Sequence, residues 1–325
     1  MLPRGARAQG AVLRDAVLAT PGPASSVSLI PELAVAIGAD RTEGLAVRIK
    51  FVSGGGVAIR ELLSGNVQFG VFGITAAMNE NLRGDSLVAL AAVENLALLS
   101  LMVRSDLRPV VRRIEDLQGR VLGIHSNSLA TMTNGQQFLM LLLRQHKVST
   151  DSVRFVAAGQ SWESQSSALR GNAVDALVSE EPFSSRLEQA GLAYRLFSVG
   201  QNGESTTLPG VGFLRGTLIA RRSIVDAQPD LAQRMVRTLQ QTLAWRAAHS
   251  PADIVSALGL SGDEGSAFLA MLKGNPTQFS PDGKFSDAQL LQTETFFRES
   301  LGNTPESLRY RVGSMLADRW AGHKP

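Results

Sequence analysis

Short apolar runs alternate with polar loops and amphipathic segments over the first two thirds of the chain. Residues 12–20 form a strand-like run, a loop of Gly, Pro and Ser follows, and apolar residues at helical spacing predict a helix over 27–37. The same alternation predicts further strands at 46–52, 67–72, 87–93, 98–104, 121–124, 153–157, 173–179, 194–199 and 213–220. It predicts helices at 57–64, 76–82, 114–117, 129–146, 164–170 and 180–190. This succession indicates an α/β protein with mostly parallel sheets flanked by helices.

The last third of the chain has only helical patterns. They predict helices at 231–249, 252–258, 264–273, 287–301 and 305–320. If these helices pack on the first series of strand–helix units, the second series is inserted within the first. We expect one lobe from residues 11–104 plus 215–325, an inserted second lobe from 105–214, and a short tail over 1–10. The strands near 98–104 and 213–222 would join the two lobes.

Composition and charge exclude several classes of protein. The 325 residues are 44% hydrophobic and 19% charged, which is typical of a globular protein with a large core. Lys and Arg exceed Asp and Glu by only 3 charges, and the basic residues are dispersed, so we predict no nucleic-acid partner. No apolar run approaches the ~20 residues that a membrane-spanning helix requires.

The chain has no cysteine and only four histidines, which are His125, His146, His249 and His323. Disulfides, thiolate metal sites and thiol nucleophiles are therefore excluded, and we predict neither a metal nor a cofactor. The triplet Ala6-Arg7-Ala8 is typical of the end of an export signal, which predicts a periplasmic protein; an ordinary disordered tail is the alternative.

The loops that follow the predicted strands are rich in Ser, Thr, Asn and Gly. Ligands bind beyond the carboxyl ends of parallel strands, where helix N-termini present free N–H groups. The Gly54-Gly55-Gly56 turn lacks the pattern of a phosphate-binding loop, so it indicates a β-to-α turn that contacts a ligand. His125 follows a strand, yet no nucleophile motif and no Asp partner accompany it. Neither set of loops contains Arg or Lys, which favours binding through neutral donors.

Three segments carry a resemblance to a known family. They are RELLSGNVQFG at 60–70, EDLQGRVLGI at 115–124 and ALRGNAVDA at 168–176, followed by Glu181-Pro182. In this order they resemble the solute-binding proteins of ABC importers of the nitrate, sulfonate, taurine and thiamine-precursor group. The resemblance covers about residues 13–301 and implies the two-lobe, type II periplasmic-binding fold, with a mixed, mostly parallel sheet in each lobe and a helical C-terminal tail.

The resemblance implies a monomeric receptor that closes on a small organic solute and delivers it to a membrane permease. With neutral donors in the loops, a sulfonate- or carboxylate-like monoanion is the expected solute. The implied ligand-binding residues are Ser25, Ser26, Gly54, Gly55, Gly73, Ile74, Thr75, Glu94, Asn95, Asn127, Ser128, Thr131, Ser161, Trp162 and Glu181. No catalytic residue is expected. The alternatives are a lyase or hydrolase that uses His125 with Glu94 or Glu181, and a ligand-sensing module.

Overall fold

Two five-stranded sheets organise the chain. The computed structural model describes residues 12–126, 129, 131–200 and 208–324. The strands, in chain order, are β1 (Arg14–Pro21), β2 (Leu45–Val52), β3 (Phe69–Gly73), β4 (Leu87–Ala92), β5 (Leu99–Arg104), β6 (Val121–Ile124), β7 (Arg154–Ala157), β8 (Ala176–Glu180), β9 (Ala193–Ser198), β10 (Gly216–Arg221), β11 (Phe285–Ser286) and β12 (His323–Lys324). The first sheet has the order β2-β1-β3-β10-β4, and the second has the order β7-β6-β8-β5-β9.

Each sheet is mixed and mostly parallel, as the sequence predicted. In the first sheet, β10 runs antiparallel to both of its neighbours, β3 and β4, while the other pairings are parallel. In the second sheet, β5 likewise runs antiparallel to both of its neighbours, β8 and β9, while the other pairings are parallel. The antiparallel strand of each sheet therefore lies next to the place where the chain passes from one sheet to the other. We call the two units lobe 1 and lobe 2, after the first and second sheet.

Helices cover the faces of both sheets. They are α1 (Leu29–Ala36), α2 (Ala39–Thr42), α3 (Gly55–Leu63), α4 (Ile74–Leu82), α5 (Asn134–Gln145), α6 (Trp162–Arg170), α7 (Phe183–Gln189), α8 (Arg222–Ala227), α9 (Pro229–Ala248), α10 (Pro251–Ala257), α11 (Gly262–Gly274), α12 (Asp287–Ser300) and α13 (Pro305–Arg309). Short 3-10 turns lie at Ser105–Leu107, Ile114–Leu117, Thr150–Ser152 and Val312–Met315. No helix in the described part of the chain is both long enough and apolar enough to span a bilayer.

The predicted C-terminal helix over 305–320 was wrong beyond Arg309. The backbone there pairs with lobe 1 instead of with itself: Leu316 bridges to Ala89 of β4, and the Ala317 amide donates to the Ala89 carbonyl oxygen at 2.8 Å. Farther on, β12 pairs in parallel with β11. A helix cannot continue where its amides are used by a neighbouring strand.

Strand 98–104 also differs from expectation. The sequence division assigned it to lobe 1, but β5 is hydrogen-bonded on both sides within the second sheet. Its residues from Leu99 to Val103 are buried on both faces, so the apolar pattern gives no sign of which sheet it joins. The chain therefore crosses between the lobes before Leu99 rather than after Arg104.

Helix α12 packs on both lobes at once. Phe296 stacks on Phe213 with 4.0 Å between ring centroids and belongs to the apolar core of lobe 2. Its neighbour Phe297 belongs to the core on one face of the lobe 1 sheet. Near the end of the helix, Arg144 of α5 donates to the carbonyl oxygen of Glu299. This helix therefore holds the two lobes together beside the crossing segments.

Candidate functional site

The carboxyl ends of the parallel strands of lobe 1 face those of lobe 2 across a closed cleft. Two glycines allow the approach. Gly22, after β1, has φ of +36°, and a Cβ there would overlap the carbonyl oxygen of Gln160 in lobe 2. Gly54, before α3, has φ of +141°, and a Cβ there would lie 3.0 Å from Ser126 Oγ. Left-handed backbone and close approach both favour glycine, so these residues set how far the lobes can close.

Between the two lobes lies a small cavity of about 20 Å³. Lobe 1 contributes residues that include Pro21, Val27, Gly55, Gly73 and Arg215, and lobe 2 contributes His125, Thr133, Asn134, Gly135 and Gln160. A volume of this size is close to what one water molecule needs. An organic solute can therefore be enclosed here only if the lobes first separate and the lining side chains then rearrange around it.

A buried charge cluster forms the floor of the cleft. Arg215 pairs with Glu94 of its own lobe and with Glu180, the last residue of β8 in lobe 2. Glu94 and Glu180 are 0% exposed and Arg215 is 4% exposed. Side-chain amides complete the cluster, because Gln278 donates to Glu94 at 3.1 Å and Gln160 donates to Glu180 at 2.9 Å. One guanidinium thus links the two lobes through fully buried carboxylates.

His125 lies beside this cluster. Its Nε2 atom is 3.4 Å from Glu180 Oε1, without the geometry of a hydrogen bond. Burial, and then the nearby Arg215 charge, hold the pKa of the imidazole well below its usual value of 6.5. The ring is therefore neutral at neutral pH.

Several buried polar atoms at the cleft have no hydrogen-bond partner among the described residues. Thr133 Oγ1, Asn134 Nδ2 and His125 Nε2 belong to cavity-lining residues that are more than nine-tenths buried. Thr75 Oγ1 and Gln137 Oε1, on the adjoining helices α4 and α5, are also buried and without a partner. Buried polar groups are normally satisfied, so this concentration makes the cavity the candidate ligand site.

The structure brings some of the expected site residues to the cavity. Gly55 and Gly73 line it, Ile74 and Thr75 open the helix directly behind Gly73, and Glu94 belongs to the charge cluster. Thr131 approaches Gly56 across the cleft, where a Cβ on the glycine would lie 3.0 Å from the threonine Cβ. These residues remain predicted ligand contacts. Asn127 and Ser128 lie outside the described residues.

Other expected contacts are engaged elsewhere. Ser25 donates to the carbonyl oxygens of its own loop, where Ser26 is also buried, and Ser161 caps α6 by accepting the Ser164 amide at 3.2 Å. Trp162 lies under the guanidinium of Arg186 at 4.2 Å, on the side of the lobe facing Asp263. Glu181 pairs with Arg195 at 3.0 Å. The backbone N–H of Asn95 donates to the carbonyl oxygen of Gln278, whereas its buried side-chain Oδ1 has no hydrogen-bond partner among the described residues.

The expectation of a cleft without basic side chains was wrong, because Arg215 lines the cavity. The ligand contacts predicted from the sequence lay only in the loops that follow parallel strands. Arg215 precedes β10, which is antiparallel, and Gly216 pairs with Gly73 at the carboxyl end of β3. The start of an antiparallel strand meets the ends of its parallel neighbours, so a residue before such a strand reaches the same edge. That rule could have found Arg215, had the direction of the returning strand been known.

Comparison with known proteins supplies the family. The model of the NMT1/THI5-like family matches residues 41–253, which is more than half of the chain. The chain belongs to the NMT1/THI5-like family. A comparison with curated protein sequences gave no match.

Solved structures share the fold of this NMT1/THI5-like chain. A protein of Bordetella bronchiseptica RB50 has a TM-score of 0.83 at 20% identity, covering 94% of this chain and 95% of that one. The alkanesulfonate-binding protein SsuA of Xanthomonas axonopodis pv. citri, bound to MOPS, has a TM-score of 0.71 at 18% identity, covering 94% and 98%. The periplasmic nitrate-binding protein NrtA of Synechocystis PCC 6803 has a TM-score of 0.70 at 10% identity, covering 94% and 86%. The desulfurization enzyme DSZB is also similar, with a TM-score of 0.62 at 18% identity, covering 94% and 97%. The architecture is thus the type II periplasmic-binding fold.

Proposed function

We propose that this protein is the solute-binding receptor of an ABC importer, and that it captures a small solute between its lobes. The observation that carries the proposal is the cavity, which both lobes line and around which buried polar atoms lack partners. Membership of the NMT1/THI5-like family and similarity to SsuA and NrtA, which are named as solute-binding proteins, support it.

Capture follows from lobe movement about the crossing segments. A solute that enters the separated cleft meets polar groups of one lobe, and closure brings those of the other lobe onto it. Because contacts with both lobes exist only after closure, the solute stabilises the closed arrangement by its differential affinity. In this arrangement lobe 1 comprises the described residues of 12–98 and 215–324, and lobe 2 comprises the described residues of 99–214.

The partners and location follow from the same proposal. A receptor of this type works outside the cytoplasm, as a monomer, and passes its solute to a permease in the membrane. The N-terminal triplet Ala6-Arg7-Ala8 that suggested export lies outside the described residues. No step of this function needs a metal or a cofactor, so none is proposed.

The monoanion expected from the sequence rested on loops without basic side chains. Arg215 is a basic side chain at the cleft, so that reason for a monoanion no longer holds. Because Arg215 is paired with both Glu94 and Glu180, its positive charge is already compensated. The net charge of the whole cluster, and not the neutral donors alone, therefore determines which solute charge the cleft favours.

An enzyme is the second candidate, favoured by similarity to DSZB and by a neutral imidazole in the cleft. The partners that the sequence suggested for such a base were Glu94 and Glu181, yet the carboxylate that lies 3.4 Å from His125 Nε2 is that of Glu180. Incubation of each bound solute with the protein, followed by mass spectrometry, separates the two functions. A receptor returns every solute unchanged, whereas a product that disappears in His125→Gln would establish the enzyme.

Thermal-shift screening tests the proposal. The panel contains sulfonates, aromatic carboxylates, pyrimidines, nitrate and amines. A solute at 100 times its Kd stabilises the folded protein by about 2.7 kcal/mol, so a true ligand raises the Tm by several degrees. We expect at least one class of solute to do so in a concentration-dependent manner. A panel without any such shift would contradict the proposed function.

A further inference from the structure

The buried charge cluster does not balance. Glu94 and Glu180 are both fully buried, and the single guanidinium of Arg215 is shared between them. Gln278 and Gln160 donate hydrogen bonds to the carboxylates but carry no charge. With both glutamates ionised, the floor of the cleft carries one net negative charge in a region from which water is excluded.

Neighbouring groups do not cancel this charge. The nearby Glu181 carboxylate is paired with Arg195, at 3.0 Å, and Glu188 contacts the same guanidinium, so these groups supply no spare positive charge. His125 is the other titratable group at the cavity, and its imidazole is neutral because its pKa is lowered by burial and by Arg215. With both glutamates ionised, the excess negative charge therefore belongs to the Glu94–Arg215–Glu180 cluster.

A second observation points to a ligand at the same place. Thr133 Oγ1, Asn134 Nδ2 and His125 Nε2 are buried, belong to cavity-lining residues and have no hydrogen-bond partner among the described residues. These atoms and the charge cluster adjoin one cavity, since Arg215 lines it too. The groups that a solute must satisfy thus lie beside an uncompensated carboxylate.

Charge then decides between solute classes. An anion placed at this cavity would face a net negative cluster at low dielectric, where like-charge repulsion is strong. A cation would be attracted by the same cluster and would leave the buried groups neutral in sum. Buried charges in proteins are stable when they are paired in this way.

We infer that the solute carries a positively charged nitrogen, which binds beside the Glu94–Arg215–Glu180 cluster at the cleft floor. The inference rests on the proposed function and names the chemical class of its solute. It reverses the monoanion expected from the sequence, and it differs from the alkanesulfonate and nitrate named for SsuA and NrtA.

Matched sets of compounds test the charge directly. Each set has one carbon skeleton that ends in an amine, an alcohol, a carboxylate or a sulfonate; ethyl, butyl, benzyl and pyridylmethyl skeletons give four sets. Binding is measured at pH 7 by thermal shift and calorimetry. We expect the amine of at least one set to bind at least tenfold more tightly than its alcohol, and the two anions of that set to bind more weakly still.

Variants locate the effect. Glu180→Gln keeps the size of the side chain and removes one charge, so the preference for amine over alcohol should fall at least tenfold. Asp226→Asn removes an exposed carboxylate on α8 and should leave the preference unchanged. If Glu180→Gln does not fold, the comparison of amine with alcohol in the unaltered protein still decides the inference.

The outcomes are distinguishable. Tighter binding of a carboxylate or sulfonate than of its amine would overturn the inference and leave the receptor function standing. Equal binding of amine and alcohol would also overturn it, because it would mean that the site does not distinguish a positively charged nitrogen from a neutral group. If no compound of these sets or of the wider panel binds, the proposed function itself falls.

Discussion

Arg215 of lobe 1 forms a buried ion pair with Glu180 of lobe 2, directly beneath the cavity between the lobes. The pair joins the end of β8 to the residue before β10. Because Arg215 also pairs with Glu94, one side chain fixes the lobe-to-lobe link and the charge of the cleft floor together.

Loss of the Arg215 guanidinium should lower the free energy of unfolding. Arg215→Ala leaves two buried carboxylates without their counter-charge, and removing one partner of a buried pair costs about 3–5 kcal/mol. Urea unfolding measures the loss. The matched control is Lys50→Ala, which breaks the exposed Lys50–Glu61 pair at 2.7 Å and should cost less than about 1 kcal/mol. Equal losses of unfolding free energy in the two variants would contradict the claim that the buried cluster contributes more to stability than an exposed ion pair.

Closure of the lobes should depend on Gly22. In Gly22→Ala the new methyl group meets the backbone oxygen of Gln160, which cannot rotate away, so full closure is blocked. Solute affinity should then fall at least tenfold, equivalent to about 1.4 kcal/mol. Gly38→Ala is the control: Gly38 also has a positive φ, of +72°, but a Cβ there has no neighbour within 4 Å. Affinity that is unchanged in both variants would show that binding does not need this contact.

The neutral state of His125 predicts a pH effect. Its pKa is lower in the folded protein than the usual 6.5, so only the unfolded chain takes up this proton as the pH first falls below that value. The free energy of unfolding should therefore decrease below about pH 6.5, with this residue contributing a slope of up to about 1.4 kcal/mol per pH unit. Unfolding measured from pH 7.5 to 5 should have a shallower slope in His125→Gln. Identical slopes would mean that the imidazole accepts its proton in the folded state.

His323 should act in the opposite direction. Hydrogen bonding to Asp287, at 2.7 Å, and to Asp318, at 3.1 Å, raises its pKa above 6.5. Its contribution to stability is therefore fully present below about pH 6.5 and is lost as the pH rises through the folded pKa. The effect is small because the side chain is 35% exposed. NMR titration of the imidazole measures it, and Asp287→Asn should lower the observed pKa; a pKa at or below 6.5 in the unaltered protein would contradict the contact.

The apolar pattern predicted the sheets well, for a physical reason. Strands and helices with a buried face must repeat their apolar residues at period 2 or 3.6, and local sequence carries that signal. It did not reveal the sheet to which β5 belongs, because a strand buried on both faces has no polar side to orient it. It also missed the end of the helix at Arg309, since the Ala317 amide donates to the carbonyl oxygen of Ala89, far away along the chain.

The candidate site was predicted only in part, and the reason is again the range of the interactions. Glycines and hydroxyls after parallel strands could be located from local patterns, so the predicted contacts included Gly55 and Gly73, which line the cavity, and Thr75 on the adjoining helix α4. Arg215 was not, because its place at the cleft depends on β10 returning antiparallel between β3 and β4. Thr133 and Asn134 were missed because the predicted helix began at residue 129 instead of at Asn134.

The central claim is that the lobes close on a solute, and the absence of native cysteines allows a direct measurement. Ser86→Cys in lobe 1 and Ser167→Cys in lobe 2 place spin labels at two exposed positions, and the distance between them is read by pulsed electron resonance. Addition of the solute that gives the largest thermal shift should shorten and narrow the distance distribution. A label pair within lobe 1, Ser86→Cys with Ser314→Cys, should not change. Tight binding with an unaltered distance between the lobes would contradict the account.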